Sequence, residues 1–535
     1  MNAVIVGDAG AAPAALPAAR DRMVGDAGFA MAAKLFYLVT RLGLPPVVLA
    51  HVTLVEYGLW AACFVIIGYI GLADLGLPSI YVRYVARLHA RGDTDGISRT
   101  LSTGMLTIGA LAGVFLVALY AALPLALDLL RIEGPARASA SVLIMGTACV
   151  FVADMTLGGF NYVLHGLQRI RLEQQISVAA CTLELLLIVA FLQAGLGVVS
   201  LLAAYALRYA FSLGLATRQA FRLVPGLRVS PRLFDRGLLR EFAGFGARVQ
   251  ASTALAMVLH SADRLVAGVA LGPKAIALFD LGGKIPLAAM SGPGAITHVT
   301  LPAAAAIDGR SGAGASRRLT ELCLRASRAI SLASAIPMSF LAAFSAPVCR
   351  AWLGERPDLA LLPLIMTLTA TAAHLNIVTG PASATFRSQG NVGNEFVYHG
   401  LRIAAIAAGL GIAVPLAGVT VAALAWAVAG GISLAAAIYL VYSLRVLGVP
   451  LRRTATRVLL PGLAPAVIAA GLAAAWFSWV PESLSRWPAL ALLGAFGLCH
   501  VALSSLAVWQ LLEPDERAHL QPFFRRPKRS PAGEP

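Results

Sequence analysis

The strongest constraint on this chain is a series of fourteen apolar windows, each long enough to cross a lipid bilayer. A spanning helix needs about 20 mostly apolar residues. The windows cover roughly 28–49, 57–82, 101–123, 140–164, 173–194, 197–219, 242–264, 273–303, 320–346, 359–384, 395–415, 418–443, 457–479 and 488–511. Charged residues make up only 13% of the 535 residues, whereas soluble domains carry about 25%. The sequence therefore predicts an all-α polytopic membrane protein with about 14 transmembrane helices.

The net charge of +16 is consistent either with nucleic-acid binding or with membrane topology. Arginine concentrates in the connections that follow even-numbered windows, for example within 83–99 and 222–240, and in the C-terminal tail. The connections after odd-numbered windows hold fewer basic residues, among them Arg131, Arg264 and Arg350. Cytoplasmic loops are enriched in Lys and Arg. We therefore expect both termini to be cytoplasmic, and we expect no nucleic-acid partner.

Two similar segments about 220 residues apart indicate an internal repeat. YVLHGLQRIRLEQ begins at Tyr162 and FRSQGNVGNEFVY begins at Phe386, with Gly166 and Gly390 taken as equivalent positions. Repeats of this kind are a common plan of transporters, in which the substrate binds between the halves. The expected organisation is an N-terminal tail (1–27), an N-terminal six-helix bundle (28–221), a basic cytoplasmic linker (222–241), a C-terminal six-helix bundle (242–445), two extra transmembrane helices (446–512) and a basic tail (513–535).

Ionisable side chains inside the apolar windows are the candidate functional residues. Each costs about 2.5–3.5 kcal/mol at the centre of a spanning helix, so it normally pairs with another charge or faces a polar cavity. The candidates are the basic residues Arg208, Arg248 and Lys284 and the acidic residues Asp74, Asp154, Glu184 and Asp280. The C-terminal half is the more basic at these positions, which favours a large anionic substrate.

For several of these charges two interpretations stay open. In the stretch FDLGGKIP, Asp280 and Lys284 lie four residues apart on one helical face. They form either a self-neutralising pair or the lining of a cavity in which Lys284 meets an anion. Arg208 either binds substrate or forms a salt bridge with Glu184, because arginine cannot lose its charge by deprotonation. In the fourth window Asp154 shares a polar face with Gly158, Asn161 and His165.

No motif of a known enzyme class is found. The chain has no HExxH, no GxxxxGK[ST] and no GxSxG sequence, and its six cysteines form no CxxC pair. We therefore expect no catalytic residues, no metal and no cofactor. Every external connection is short, which disfavours a membrane glycan ligase or polymerase, since such an enzyme needs a sizeable external loop. A transporter is the expected class.

Three segments resemble the Wzx-type polysaccharide flippases of the multidrug/oligosaccharidyl-lipid/polysaccharide exporter superfamily. They are the stretch from Glu56 to Asp93, the stretch HSADRLVAGVALGPKAIALFDLGGKIP from His260 to Pro286, and NYVLHGLQRIRLEQQ, which begins at Asn161. The number and order of the spans extend the resemblance over nearly the whole chain. One departure is Phe279-Asp280, where that family often has an aromatic residue followed by small residues.

The resemblance implies that the protein moves an undecaprenyl-pyrophosphate-linked oligosaccharide across the bacterial inner membrane by alternating access. The product would be O-antigen, capsule or exopolysaccharide. Basic cavity residues, here Arg208, Arg248 and Lys284, would hold the pyrophosphate. Asp74, Asp154, Glu184 and Asp280 would couple transport to protons or sodium, or would partner the bases. The implied partners are the lipid-linked oligosaccharide, membrane lipid and polysaccharide polymerase machinery. A drug/cation antiporter, disfavoured by the interior arginines, and a peptidoglycan-precursor flippase stay open as alternatives.

Overall fold

A computed structural model describes residues 15–71, 77–134, 136–240, 255–259, 261–308, 315–391, 393–481, 484–512, 514 and 517. Within these residues every regular element is helical. The chain divides into two compact units. Unit 1 comprises Met1–Ser261 and Gly272–Ala277, and unit 2 comprises Ala262–Leu271 and Leu278–Pro535. The predicted all-α fold is confirmed.

Unit 1 contains eight of the described helices. They are α1 (Ala15–Leu49), α2 (Leu54–Ile70), α3 (Leu77–Ala90), α4 (Thr94–Leu129), α5 (Ala136–Leu157), α6 (Gly159–Gly166), α7 (Ile170–Gln193) and α8 (Val199–Leu223). Local sequence sets several of the boundaries. Thr53 and Glu56 form a reciprocal capping box at the start of α2, and the Asp93 carboxylate accepts from the Gly96 amide at the start of α4.

The polypeptide after α8 is held against α4 by three side-chain hydroxyl groups. The backbone amides of Arg228, Ser230 and Asp235 donate to Ser98, Ser102 and Thr103, at distances of 3.0, 3.1 and 3.0 Å. All three hydroxyl groups belong to α4, and their side chains are buried. The basic segment that follows α8 is therefore fixed to unit 1, because its irregular backbone obtains hydrogen bonds from a helix surface.

Unit 2 contains the remaining helices. They are α9 (Ala262–Leu271), α10 (Pro273–Ala289), α11 (Ser291–Asp308), α12 (Ala315–Ala343), α13 (Ser345–Leu353), α14 (Leu362–Val378), α15 (Gly380–Ser388), α16 (Gly393–Ala417), α17 (Val421–Val446), α18 (Leu451–Thr454), α19 (Leu463–Trp479) and α20 (Arg486–Leu511). Helix α10 crosses the division between the units after Ala277.

Among the described residues, eleven helices are long and apolar enough to cross a membrane. The three other predicted windows occur in shorter pieces. Window 57–82 corresponds to α2 and α3, with residues 72–76 not described, and window 242–264 lies largely outside the described residues. Window 273–303 divides into α10 and α11, next to the glycine- and proline-containing sequence SGPG at 291–294. Proline removes a backbone donor and favours such breaks.

The repeat is visible in the turns that join α6 to α7 and α15 to α16. In each turn one residue has a positive φ, 58° at Gln168 and 72° at Gly390. Each of these amides bonds to the carbonyl three residues back, and the following amide bonds to the carbonyl five residues back, at 2.9–3.0 Å. Gly390 therefore matches Gln168, and the proposed match with Gly166 is wrong. A Cβ at Gly166 would lie 2.7 Å from Val85 Cβ, so this glycine allows close packing of α6 on α3.

An ion pair braces each of these two turns. His165 Nδ1 lies 3.0 Å from Glu173 Oε2 in unit 1. Arg387 Nε pairs with Glu395 Oε1 in unit 2. The partners are eight residues apart in both cases, and the two pairs are offset by 222 residues. The repeat thus extends from backbone geometry to the side chains that stabilise it.

The last two long helices, α19 and α20, are attached to unit 2 by polar contacts along α20. Arg486 donates to the carbonyl of Trp352 at 2.7 Å, and Arg328 donates to the carbonyl of Leu511. Between these ends, His500 Nε2 lies 2.9 Å from a backbone carbonyl of α12, and the side chain of His500 is buried. Helix α20 therefore forms part of the polar and apolar core of unit 2.

Candidate functional site

The main charge cluster of unit 1 surrounds Glu184 on α7, whose side chain is almost fully buried. Glu184 Oε2 lies 2.7 Å from Arg41 Nη2 of α1 and 3.2 Å from Arg208 Nη1 of α8. We call these three residues the Glu184 triad. Two guanidinium groups share one carboxylate, so the triad carries a formal charge of +1. Arg41 and Arg208 retain 27% and 14% side-chain exposure, which leaves part of each guanidinium accessible.

Neighbouring polar and aromatic side chains position the two arginines. Thr40 Oγ1 lies 3.3 Å from Cys181 Sγ, a contact that places α1 along α7. The Tyr37 ring lies 5.0 Å from the Arg41 guanidinium carbon and 5.9 Å from that of Arg208. An aromatic face attracts a cation within about 6 Å. The Tyr37 ring therefore favours the charged form of both guanidinium groups, those of Arg41 and Arg208.

The triad contains one of the contacts that the sequence left open. Glu184 and Arg208 form the salt bridge that was the competing interpretation for Arg208. The second partner of Glu184, Arg41, was not identified from the sequence. The available signal was an arginine inside the first apolar window, 28–49. The pair of Glu184 and Arg208 alone would be neutral. Because Arg41 adds a second cation, the triad has a net positive charge.

A polar cavity of about 350 Å³ lies inside unit 1. Its lining includes Asp154, Asn161, Glu173, Ser177, Tyr209 and Ser212. Three of the four residues predicted to share a polar face, Asp154, Gly158 and Asn161, line this cavity. The fourth, His165, pairs with Glu173 instead. Helix α5 ends before Gly158 and α6 begins after it, so the polar face runs across a break between two helices.

The carboxylate of Asp154 makes no hydrogen bond or ion pair with any residue in the described part of the chain. Its electrostatic neighbours belong to α8, where Arg208 is the attracting cation and Tyr205 and Tyr209 are the titratable hydroxyl groups. The guanidinium carbon of Arg208 lies 5.0 Å from the Tyr209 ring. Arg208 therefore connects the Glu184 triad with the carboxylate in the cavity.

The corresponding cluster of unit 2 surrounds Asp280 on α10. Asp280 Oδ2 lies 2.7 Å from Lys284 Nζ, and Asp280 Oδ1 lies 3.5 Å from Arg264 Nη1 of α9. We call these residues the Asp280 triad, which also carries a formal charge of +1. The pairing of Asp280 with Lys284 agrees with the first interpretation of FDLGGKIP. Arg264, which the sequence placed with the connection after the seventh window, lies within α9 and reaches Asp280.

The double glycine of FDLGGKIP allows α10 to approach α14 closely. A Cβ at Gly282 would lie 2.6 Å from Ile365 Cγ2, whereas a Cβ at Gly283 would meet nothing closer than 3.6 Å. Phe279 and Leu281 are buried on either side of Asp280. The stretch thus combines a packing requirement with two charges that are held in place by their own helix and by α9.

A further pair of charges belongs to the same unit. Asp263 precedes Arg264 on α9, and its Oδ1 is buried without a hydrogen bond to any described residue. Arg402 of α16 attracts Asp263 electrostatically, and its guanidinium carbon lies 5.8 Å from the Tyr398 ring. Unit 2 therefore concentrates polar groups from α9, α10 and α16. Two predicted site residues, Asp74 and Arg248, lie outside the described residues.

Eleven helices long and apolar enough to cross a membrane, among the described residues, define the class of the molecule as a polytopic membrane protein. The family described as polysaccharide biosynthesis protein matches residues 30–307, slightly more than half of the chain. The chain therefore belongs to this family. A search of curated proteins finds no match.

Several solved structures share the fold. The lipid II flippase MurJ, in an inward closed conformation, is 11% identical with a TM-score of 0.67, over 94% of this chain and 100% of that chain. An inward-facing multidrug resistance MATE family transporter of the MOP superfamily is 18% identical with a TM-score of 0.61, over 78% and 94%. A Vibrio cholerae MATE transporter is 15% identical with a TM-score of 0.54, over 79% and 98%. At these identities the comparisons establish the fold alone.

Proposed function

We propose that this protein flips an undecaprenyl-pyrophosphate-linked oligosaccharide across the bacterial inner membrane by alternating access. In this proposal both termini are cytoplasmic. The flipped glycan is used for O-antigen, capsule or exopolysaccharide and is passed to polysaccharide polymerase machinery. The protein acts as a transporter and carries out no bond chemistry. Membership of the polysaccharide biosynthesis family and the transporter fold support this function.

The observation that carries the proposal is the excess positive charge of the two triads. In each, two basic side chains share one buried or partly buried carboxylate. A cation in an apolar helical unit requires a counter-charge, and within each triad one carboxylate faces two cations. Guanidinium groups match the geometry of phosphate oxygens, and lysine acts as a compact positive charge. An anionic headgroup satisfies this requirement better than a cationic drug does.

The proposal assigns a role to each candidate residue. In unit 1, Arg41 and Arg208 offer positive charge to an anionic headgroup, and in unit 2, Arg264 and Lys284 do so. Arg248 remains a further candidate from the sequence. Glu184 and Asp280 hold the basic side chains in place, because each already contacts two cations. Asp154 is left as the candidate for ion coupling, and Asp74 remains a sequence-based candidate for the same role.

A peptidoglycan-precursor flippase is the second candidate function. The MurJ structure, whose title names lipid II, aligns with 94% of this chain, whereas the MATE structures align with 78–79%. The longer alignment favours a lipid-linked substrate over a drug. A drug/cation antiporter would also have to accept a cation beside triads that are already positive. Lipid II and a polysaccharide precursor share a pyrophosphate, so only a cellular measurement separates them.

Complementation of a gene deletion tests the function. The deletion strain receives the wild-type gene or the variant Arg208→Ala, Lys284→Ala or Arg264→Ala, with membrane levels matched. Arg137→Ala, which disrupts an exposed ion pair with Asp128, is the control. Surface polysaccharide, accumulated peptidoglycan precursors and drug susceptibility are measured in parallel.

We expect the deletion to abolish surface polysaccharide, the three cluster variants to fail to restore it, and Arg137→Ala to restore it. Accumulation of peptidoglycan precursors without loss of polysaccharide would support the second candidate instead. A change in drug susceptibility alone would replace both lipid functions with an antiporter. Full restoration by all three cluster variants would refute the role of the triads.

A further inference from the structure

Asp154 differs from the residue at the equivalent position of the repeat. That position, 222 residues later, is Asn376, whose Oδ1 accepts a hydrogen bond from the Tyr398 hydroxyl. In unit 1 the place of Tyr398 is taken by Ile176, which has no donor. Asp154 therefore has an ionisable group where the second unit has a neutral amide, and it lacks the partner that the amide has.

The charge of Asp154 bears directly on the Glu184 triad. The triad has a formal charge of +1, and Arg208 is the member that also attracts Asp154. When Asp154 is ionised, the four residues together are neutral. When Asp154 carries a proton, the triad's positive charge is no longer compensated. A single proton thus decides whether an anion meets a neutral or a positive cluster.

We propose that Asp154 is a proton-binding switch for anion binding at Arg208, so that a proton and an anionic headgroup bind unit 1 together. This inference rests on the proposed function, because it assigns the coupling ion of the same site. Binding free energies are reciprocal: if the proton strengthens anion binding, the anion strengthens proton binding by the same factor. Net charge in unit 1 then stays balanced when both ligands are bound.

The cavity favours a proton over a metal cation. Its volume of about 350 Å³ corresponds to about twelve water molecules at ~30 Å³ each. Hydroxyl and amide groups from several helices line it, which suits a chain of water molecules. Among the described residues no group of three or more His, Cys, Asp or Glu side chains could hold a metal ion. A carboxylate that pairs with no described residue can bind a proton by itself, whereas a metal ion needs several ligands.

Other titratable groups face the same cavity, and the test must exclude them. Tyr205 and Tyr209 of α8 interact electrostatically with Asp154. Tyr162 of α6 and Glu173 of α7 line the cavity, and Glu173 already pairs with His165. The pair of Glu173 with His165 is the main competitor, because both side chains are ionisable and Glu173 lines the cavity.

Binding of a short prenyl pyrophosphate, farnesyl pyrophosphate, provides the first measurement. The full-length protein is placed in nanodiscs of phosphatidylethanolamine and phosphatidylglycerol, and the dissociation constant is measured between pH 5.5 and 8.5. We expect wild-type binding to weaken by about tenfold more than Asp154→Asn binding as the pH rises. The probe's own titration cancels, since both proteins meet the same probe. Asp154→Asn should bind tightly throughout, while Glu173→Gln and the exposed control Asp128→Asn should follow the wild type.

Infrared difference spectroscopy of the same nanodiscs tests the switch without a ligand. The carboxyl C=O band that appears on acidification should be absent in Asp154→Asn. In Arg208→Gln this band should persist to higher pH, because removal of the cation makes ionisation less favourable. If the pH dependence of this band is the same in Arg208→Gln as in the wild type, the coupling between Asp154 and Arg208 is refuted. This result holds even if the probe does not bind.

The outcomes separate this inference from the proposed function. Probe binding that depends on Arg208 but has the same pH dependence in wild type and Asp154→Asn would overturn the switch and leave the flippase proposal intact. Loss of the pH dependence in Glu173→Gln would also overturn it. The affinity for the probe is also compared in choline and in sodium at fixed pH. A change that is absent in Asp154→Asn would identify sodium, and not a proton, as the coupling ion. Probe binding that is insensitive to Arg208→Gln would count against the proposed function itself.

Discussion

Replacing Glu184 with glutamine removes the one carboxylate that two guanidinium groups share. The nearest oxygen–nitrogen distances are 2.7 and 3.2 Å, and only 3% of the Glu184 side chain is exposed. At an effective dielectric constant of 20, unit charges 4 Å apart attract by about 4 kcal/mol. Two such attractions are lost, while the amide no longer bears the desolvation cost of a charge. Removal of one member of a buried ion pair typically costs about 3–5 kcal/mol, which is the loss we expect.

The free energy of unfolding is measured in detergent by denaturant titration, with helical circular dichroism as the signal. Asp128→Asn is the matched control, because Asp128 pairs with Arg137 at the protein surface, where a pair contributes at most about 1 kcal/mol. Adding Arg41→Gln to Glu184→Gln should recover part of the loss, since one uncompensated cation is removed. A loss for Glu184→Gln no greater than the control, or no recovery in the double variant, would refute the electrostatic reasoning.

Five further substitutions test helix packing, backbone geometry and a polar contact, each by the same unfolding measurement. Gly282→Ala should destabilise unit 2 by about 1–3 kcal/mol through overpacking, whereas Gly283→Ala should be neutral or stabilising. Equal effects of the two substitutions would contradict the close contact of α10 with α14. Gln168→Gly should stabilise the protein by about 1 kcal/mol, and Gly390→Gln should destabilise it by a similar amount, because both positions have a positive φ. Unchanged stability in both variants would argue against equivalent turns. His500→Ala should cost about 1–3 kcal/mol, because a buried side chain loses its packing and its hydrogen bond to the Ile336 carbonyl of α12. No loss would mean that the His500 contact does not help to hold α20.

The sequence predicted the individual charged residues better than their partners. Glu184 and Arg208 were paired correctly as one of two alternatives, and Asp280 with Lys284 likewise. Arg41 and Arg264 were missed as partners because they lie in other helices, with Arg41 separated from Glu184 by 143 residues. Helical spacing relates residues within one helix, whereas partners in different helices depend on how each helix is rotated in the bundle.

The repeat illustrates the same limit at the level of single residues. Its existence was visible in the similarity of the two turn segments, but the match of Gly390 with Gly166 was two positions out. Backbone hydrogen bonds and the positive φ identify Gln168 as the equivalent residue. A glycine in a sequence marks either an unusual backbone angle or a close contact. Gly390 serves the first purpose and Gly166 the second, and only coordinates distinguish them.

By itself the sequence determined that the chain is an all-α membrane protein with a repeated plan, because a bilayer imposes a minimum apolar length on every span. It also identified which buried positions carry charge, since charge is rare in such spans. The tertiary structure decided the net charge of each cluster and which of the charged side chains pair with one another. Three helices bring Arg41, Glu184 and Arg208 together with a net charge of +1, and a fourth leaves Asp154 unpaired in a cavity. Net charge at a site is a sum over helices that are distant in sequence, so it emerges only when those helices pack.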